Sequence, residues 1–363
     1  MTRSRVQQQD ADTPQETKIS PMQFIARAMS SDSTVIRLSV IVVLLFIGFS
    51  IARPDAFPTT RNMQSMAFQG SEIGILAIGV GVTMLTGGID LSITAMANLT
   101  AIVAASVLSA IGTDVSPEQA QLAVVVALGA ATFVGLLCGM FNGFLVAYVG
   151  IPPILATLGT LTLFQGIGTV ITEGQAVYGI PEYTFIGTSQ IGVVPIPFII
   201  FLVVAGIVGL ILSSTRYGFE TYMLGTNPVA ARFSGINSRR VLMLTYTMSG
   251  VLAAIAGAII LGRTNAIRID FGQSYILLTI MIAVLGGINP MGGSGRVIGV
   301  VLAVIAIQFL STGMNMMLFQ SSGANFFKEA AWGMLLLLVL LIDYTTVRYR
   351  NRRRLGGSGK TKA

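Results

Sequence analysis

The side chains placed to act on a solute are amides and isolated acids set inside apolar runs. Glu72, Asn98, Asn142, Gln165 and Asn315 lie there, with Thr83, Thr100, Tyr246, Asn265, Gln308 and Trp332. Polar groups at membrane depth face a cavity or a partner, because hydrocarbon solvates them poorly. Each has a plain alternative, a helix-to-helix hydrogen bond, and for Glu72 a position near the outer surface. Together they are too few for a highly charged solute and suit a neutral, hydroxyl-rich one. They form no ladder of carboxylates of the kind an ion-coupled carrier favours. The chain has no histidine, and its one cysteine, Cys138, sits in an apolar run. That removes the commonest zinc ligand, any His-based triad and any His proton relay. No catalytic residue and no metal site is therefore predicted, and Cys138 reads as a small packing residue.

Two glycine pairs punctuate the apolar pattern. Gly87-Gly88-Ile89-Asp90-Leu91-Ser92 is echoed by Gly286-Gly287-Ile288-Asn289, and each follows an apolar run ending in Leu. Paired glycines allow a tight bend or a broken helix, and Asp90 is placed to cap the next helix. The two readings are a plain turn and a gate or hinge built from Gly87, Gly88, Asp90, Gly286, Gly287 and Asn289. Matching breaks in two halves of a chain point to transport machinery. The segment Asn289–Arg296 is a further glycine-rich turn without the following Lys-Ser or Lys-Thr of a phosphate cradle. The tail Gly356–Thr361 imitates the end of a P-loop, but Arg354 stands where its first glycine belongs. No ATPase is expected on this polypeptide.

Residues 214–240 are the charged interruption, carrying Arg216, Glu220, Arg232, Arg239 and Arg240 between long apolar segments. A short helix is predicted there over about 228–234. Asn227 is a good N-cap, and Pro228 suits the first helical position. Gly235 suits the left-handed residue of a Schellman ending, with Ile236 as its apolar partner. Val229, Ala230 and Phe233 would share one side of it, as a groove-filling face does.

These residues need a membrane scaffold. Of 363 residues, 53% are hydrophobic and 10% charged, against about 25% charged in soluble domains. Apolar runs fall at roughly 35–52, 66–86, 93–111, 121–141, 154–172, 196–213, 241–262, 274–288, 297–318 and 327–343. The fold class predicted is an all-α integral membrane protein of about ten transmembrane helices spanning 35–345. Polar tails at 1–34, expected to be disordered, and at 346–363 flank it. With both termini inside, the inner side collects 17 of the 22 Lys and Arg residues. The positive-inside bias therefore places the termini and the 214–240 loop in the cytoplasm. The net charge of +7 reports topology and does not suggest nucleic acid. The longest outer loop, 173–195, is expected along the outer interface or in a docking surface, with Tyr178, Tyr183 and Phe185 at headgroup level.

Four segments together resemble a known family. GVTMLTGGIDLSI (81–93), IPPILATLGTLTLFQGI (151–167), GTNPVAARFSGIN (225–237) and GGSGRVIGVVLAVIAIQFLSTGMNMM (292–317) look like the ribose-type permeases of bacterial ABC sugar importers. The resemblance runs from about 38 to 343. It implies a ten-helix permease of the bacterial inner membrane that works as a dimer, with a second copy or a sister permease. It implies cytoplasmic ATP-binding subunits that hold the ATP and Mg, and a periplasmic solute-binding protein above. It also implies that 225–237 is the coupling region, with Asn227, Val229, Ala230, Arg232, Phe233 and Gly235 meeting the ATPase. Two departures lie near the supposed gate. Ile93-Thr94 stands where family members often have Val-Gly, and Ile288-Asn289 follows the second glycine pair instead of a polar residue. The rival reading is an ion-coupled secondary carrier for a small polar solute. A channel would need no coupling helix, and a membrane enzyme would need a nucleophile, metal or acid–base pair.

Overall fold

The computed structural model describes residues 33–111 and 116–318, with isolated positions between 327 and 341. Its elements are α1 (Ser33–Ala52), α2 (Thr60–Leu85), α3 (Ile93–Ile111), α4 (Pro117–Phe144), α5 (Pro153–Thr172), α6 (Phe185–Thr188) and α7 (Ile196–Ser214). After these come α8 (Arg216–Thr226), α9 (Pro228–Phe233), α10 (Ser238–Thr264), α11 (Tyr275–Leu285) and α12 (Val297–Met317). Among the described residues, eight helices are long and apolar enough to cross a membrane. The eleven-residue α11 is too short to span alone. The tenth predicted run, 327–343, lies mostly outside the described residues, though Phe327, Trp332 and Leu341 are helical. The tails at 1–34 and 346–363 also lie outside them, apart from Ser33 and Thr34, which open α1.

The centre of the bundle is α2. Every residue from Gly70 to Leu85 is buried, a full four turns without a solvent or lipid face. A helix apolar all round has to be enclosed by others, and α7, α10, α11 and α12 enclose this one. The second central helix is α10, whose closest neighbour is α4. Their contact is made by Gly135, Gly139 and Gly143, one turn apart on α4. A Cβ on Gly139 would overlap the Tyr246 carbonyl, and one on Gly135 would reach 2.6 Å from the Gly250 carbonyl oxygen. Small residues at this spacing let helix backbones meet where lipid offers no hydrophobic drive for association. Outward faces of α1, α4, α5 and α7 stay apolar and exposed, as at Leu44, Val125, Leu155 and Val203.

The run predicted at 121–141 continues to Val149 as one span. After Phe144 the helix widens into a π-turn over Leu145–Val149 and stops at Gly150, whose φ is +83°. Beyond α5 the 173–195 connection is folded. Strand β1 (Val177–Tyr178) pairs antiparallel with β4 (Ala266–Ile267), and β2 (Gln190–Ile191) pairs with β3 (Val194–Pro195). Tyr178 and Phe185 are exposed, but Tyr183 is fully buried. It packs with Ile180 and Ile267 as part of the core and does not reach an outer interface.

Candidate coupling and gating site

The short helix forms where its punctuation predicts. The Asn227 side chain accepts from the Val229 and Ala230 N–H groups at 3.1 and 3.0 Å, and Pro228 opens the helix. At the other end Ile236 N–H donates to Ala231 C=O, and Gly235 N–H to Arg232 C=O, both at 3.1 Å. These are the two bonds of a Schellman ending, and Gly235 takes the left-handed conformation it requires, φ +79°. Ala231 is buried against Leu224 and Val241, and that contact seats α9 on the bundle. Val229 and Phe233 point away, 65% and 90% exposed. Ala230, Arg232 and Gly235 are exposed as well. Sequence alone did not reveal α8, the eleven-residue helix before α9, capped by Thr215 and carrying the Arg216–Glu220 ion pair at 2.7 Å.

Both glycine pairs end helices in the same way. At the first, Gly87 N–H donates to Met84 C=O and Gly88 N–H to Thr83 C=O. At the second, Gly287 N–H donates to Val284 C=O and Ile288 N–H to Ala283 C=O. The left-handed residues are Gly87, φ +82°, and Gly287, φ +85°. The echo is therefore shifted by one. The first glycine of one pair does the work that the second does in the other, so Thr86 corresponds to Gly286 and Gly88 to Ile288.

These turns and the segment leading into α9 meet in one place. Gly293 N–H donates to Leu85 C=O at 2.9 Å. Gly225 lies against both, and a Cβ there would overlap the Leu85 carbonyl oxygen. A Cβ on Gly292 would come within 2.8 Å of Gly87 N and 2.9 Å of Gly225 Cα. Tyr222 Oη donates to Gly295 C=O at 2.9 Å. Burial raises the Tyr222 phenol above its ordinary pKa despite nearby Arg296, so it stays a donor. A second close contact joins Gly286 to Gly299 at the start of α12. The glycine-rich turn at 289–296 thus acts as a backbone joint between α8 and the ends of α2 and α11. Asn289 is exposed, and its side chain accepts from Met291 N–H within that turn.

Behind the first turn, Asp90 is fully buried. One oxygen accepts from Ser92 N–H at 3.0 Å and Ser92 Oγ at 2.7 Å, and the other accepts from Ser249 Oγ at 2.7 Å. Asn142 Nδ2 donates to Ser92 Oγ at 2.7 Å. The carboxylate ties the turn to α10, and through Ser92 and Asn142 to α4. It meets Ser92 N–H, ahead of α3, and no N–H of the helix itself. The residues expected along a path are scattered. Glu72 is buried in mid α2, where Arg263 grips it through Nε at 3.0 Å and Nη2 at 2.8 Å. Asn98 donates to the carbonyls of Ile269 and Phe271. Gln165 is half-buried on α5 and Asn315 exposed on α12. Asp90, Ser92 and Asn142 stand together, whereas Glu72, Asn98, Gln165 and Asn315 do not join them. Arg263 and Ser249 carried no sequence signal, since each meets its acid across more than 150 residues.

A family model described as "Branched-chain amino acid transport system / permease component" matches residues 62–343. The ribose import permease protein RbsC of Bacillus subtilis is 33% identical over 83% of this chain and 89% of its own length. RbsC of Haemophilus influenzae is 30% identical over 85% of this chain and 92% of its own. The autoinducer 2 import system permease protein LsrD of Klebsiella pneumoniae is 29% identical over 85% and 90%. No solved structure gives a significant match. Motif resemblance and whole-chain similarity agree, and the chain belongs to this permease-component family, as a multi-pass membrane protein of its ribose-type branch.

Proposed function

We propose that this chain is the membrane-spanning subunit of an ATP-driven importer of the bacterial inner membrane, moving a sugar or sugar-like solute. A periplasmic binding protein delivers the solute at the end of the bundle that carries Arg263. ATPase subunits, which hold the ATP and Mg, take hold of α9 at the opposite end. A second copy or a sister permease completes the path, and both termini lie in the cytoplasm with α9.

The observation that carries this reading is the construction of α9. A six-residue helix is far too short to persist alone, yet this one is fixed by a cap at each end and by Ala231 beneath. It presents a nearly naked phenylalanine to water. With exposed Val229 one turn away, that ring makes an apolar patch of the kind that marks a protein-binding surface. The glycine joint then links the segment just ahead of α9 to the turns ending α2 and α11. A pull on α9 reaches those turns through backbone contacts that leave no room for slack. ATP-driven closure of the ATPases would draw two such helices together and change which face of the path is open. The permease contributes a path and a lever and does no covalent chemistry. The relatives named for ribose and autoinducer 2 import support a polyhydroxy solute.

Two measurements test this. Phe233→Asp should abolish co-purification of the ATPase while leaving the thermal melting of the permease unchanged, because the side chain touches little of its own fold. Unchanged co-purification would remove α9 from the coupling role. Uptake in vesicles should require the ATPase subunits. Uptake that persists without them and collapses with the ion gradient would establish the secondary carrier instead.

A further inference from the structure

The end of the bundle away from α9 carries a polar cleft that the lever mechanism does not use. Its volume is about 320 Å³, at the lower end of the range of small-molecule sites. One wall is a stripe on the first turns of α2, where Arg61, Gln64, Phe68 and Gln69 recur at helical spacing. From Gly70 onward α2 is enclosed and, apart from Ser71, Glu72 and Thr83, apolar, so this stripe is a local departure from the pattern of its own helix. Thr188, Gln190 and Arg263 form the facing wall.

The cleft is braced. Gln64 Nε2 donates to Gln190 Oε1 at 2.9 Å and to the Val193 carbonyl at 3.0 Å, joining the walls. Arg263 is held from behind by buried Glu72 through two of its five N–H donors. The guanidinium therefore cannot swing away, and its other donors remain available on the side that lines the cleft. Glu72 cancels one positive charge, and Arg61 supplies a second that is exposed. The site has an excess cation, amide groups that both donate and accept, the hydroxyls of Ser65 and Thr188, and one aromatic face.

We propose that this cleft is a reception site for a polyhydroxylated small molecule bearing a carboxylate or phosphate, such as a sugar acid. Amides and the Phe68 ring match the hydroxyls and the carbon face of a sugar-like chain, and the paired guanidinium edges match the anion. This rests on the importer reading and adds one negative charge to the neutral, hydroxyl-rich solute that the interior polar groups suggest. A charged solute would be met at this mouth, whereas the interior of the bundle holds few charges.

The test uses the full chain in phosphatidylcholine nanodiscs, with ligand contact read by saturation-transfer NMR and affinity by titration calorimetry. D-gluconate should bind at least tenfold more tightly than D-glucose. Arg61→Gln should erase that preference, and Gln69→Leu should weaken both. Both residues are exposed, so folding is not at risk. Equal binding of gluconate and glucose, or a preference that survives Arg61→Gln, would overturn the proposal. Acetate binding as tightly as gluconate would also overturn it, showing a bare carboxylate socket of the kind a docking protein's side chain fills. Loss of gluconate binding when phosphatidylglycerol replaces phosphatidylcholine would assign the cleft to a lipid headgroup instead. None of these results bears on ATPase co-purification, so the importer reading stands or falls separately.

Discussion

Single residues in this chain act through partners far away in sequence, and Glu72 is the clearest case. An acid in mid-helix is singled out by its neighbours alone, but its function depends on Arg263, 191 positions on, and on Tyr275 Oη at 3.4 Å. Burying a carboxylate without a cation is costly, so the pair is held together by mutual need. Glu72→Gln leaves Arg263 gripping a neutral amide in a mostly buried position. It should destabilise the permease by about 3–5 kcal/mol, the range seen when one partner of a buried pair is removed. Thermal unfolding in detergent checks this, and a melting temperature within a degree of the parent would show the pair to be dispensable. Asp90 was legible as a polar residue after a glycine pair. Its acceptance from Ser249 was not, since a serine within an apolar helix looks like any small packing residue.

Elements were legible wherever one physical signal controlled them. The run at 93–111 matches α3, and 154–172 matches α5 to within a residue, because burial in an apolar phase is written in composition. Capping residues located α9, since Asn, Pro and Gly each have a local reason for their place. Helix α8 went unread because its charges hid an amphipathic face that is decided by packing on α10 and α2. The glycine joint was unread for a similar reason: Asn289–Arg296 looks like any flexible turn until Leu85 and Gly225 are seen against it. That joint gives the sharpest test of how motion passes between elements. Gly225→Ala would force a methyl group into the Leu85 carbonyl, which is backbone and cannot rotate aside. We expect α8 to shift off the joint while α9, whose caps are local, still binds the ATPase. Solute uptake should then fall at least tenfold with co-purification retained. Gly159→Ala, with open space around it on α5, is the matched control and should transport normally. Uptake unaffected by Gly225→Ala would mean that motion travels through α7 and α10 alone.

The whole molecule is a bundle with two unlike ends, and its function depends on which end faces which compartment. About 39 Å separate the ends of the 26-residue α2, at 1.5 Å per residue. Its first turns line the Arg61 cleft, and its last residue carries the joint with α8. Arginines crowd the second end: Arg216, Arg232, Arg239 and Arg240 lie on α8, α9 and the first turn of α10, with Arg239 over the ring of Tyr148 at 5.7 Å. On the importer reading proposed above, and with the positive-inside bias, that end would lie in the cytoplasm, where ATP is available, and the cleft would open to the outside, where solute arrives. A wrong orientation would invert both assignments at once, so it is the single geometric fact worth fixing first. The lone cysteine, Cys138, is buried on α4 within the main core, which keeps background labelling low. Phe233→Cys and Thr188→Cys each place a thiol at an exposed position, one per end. A membrane-impermeant maleimide applied to intact spheroplasts should label the Thr188 variant and spare the Phe233 variant, and inside-out vesicles should reverse the result. If Phe233→Cys were labelled from outside, α9 would stand in the compartment without ATP, and both the lever and the reception cleft would have to be abandoned together.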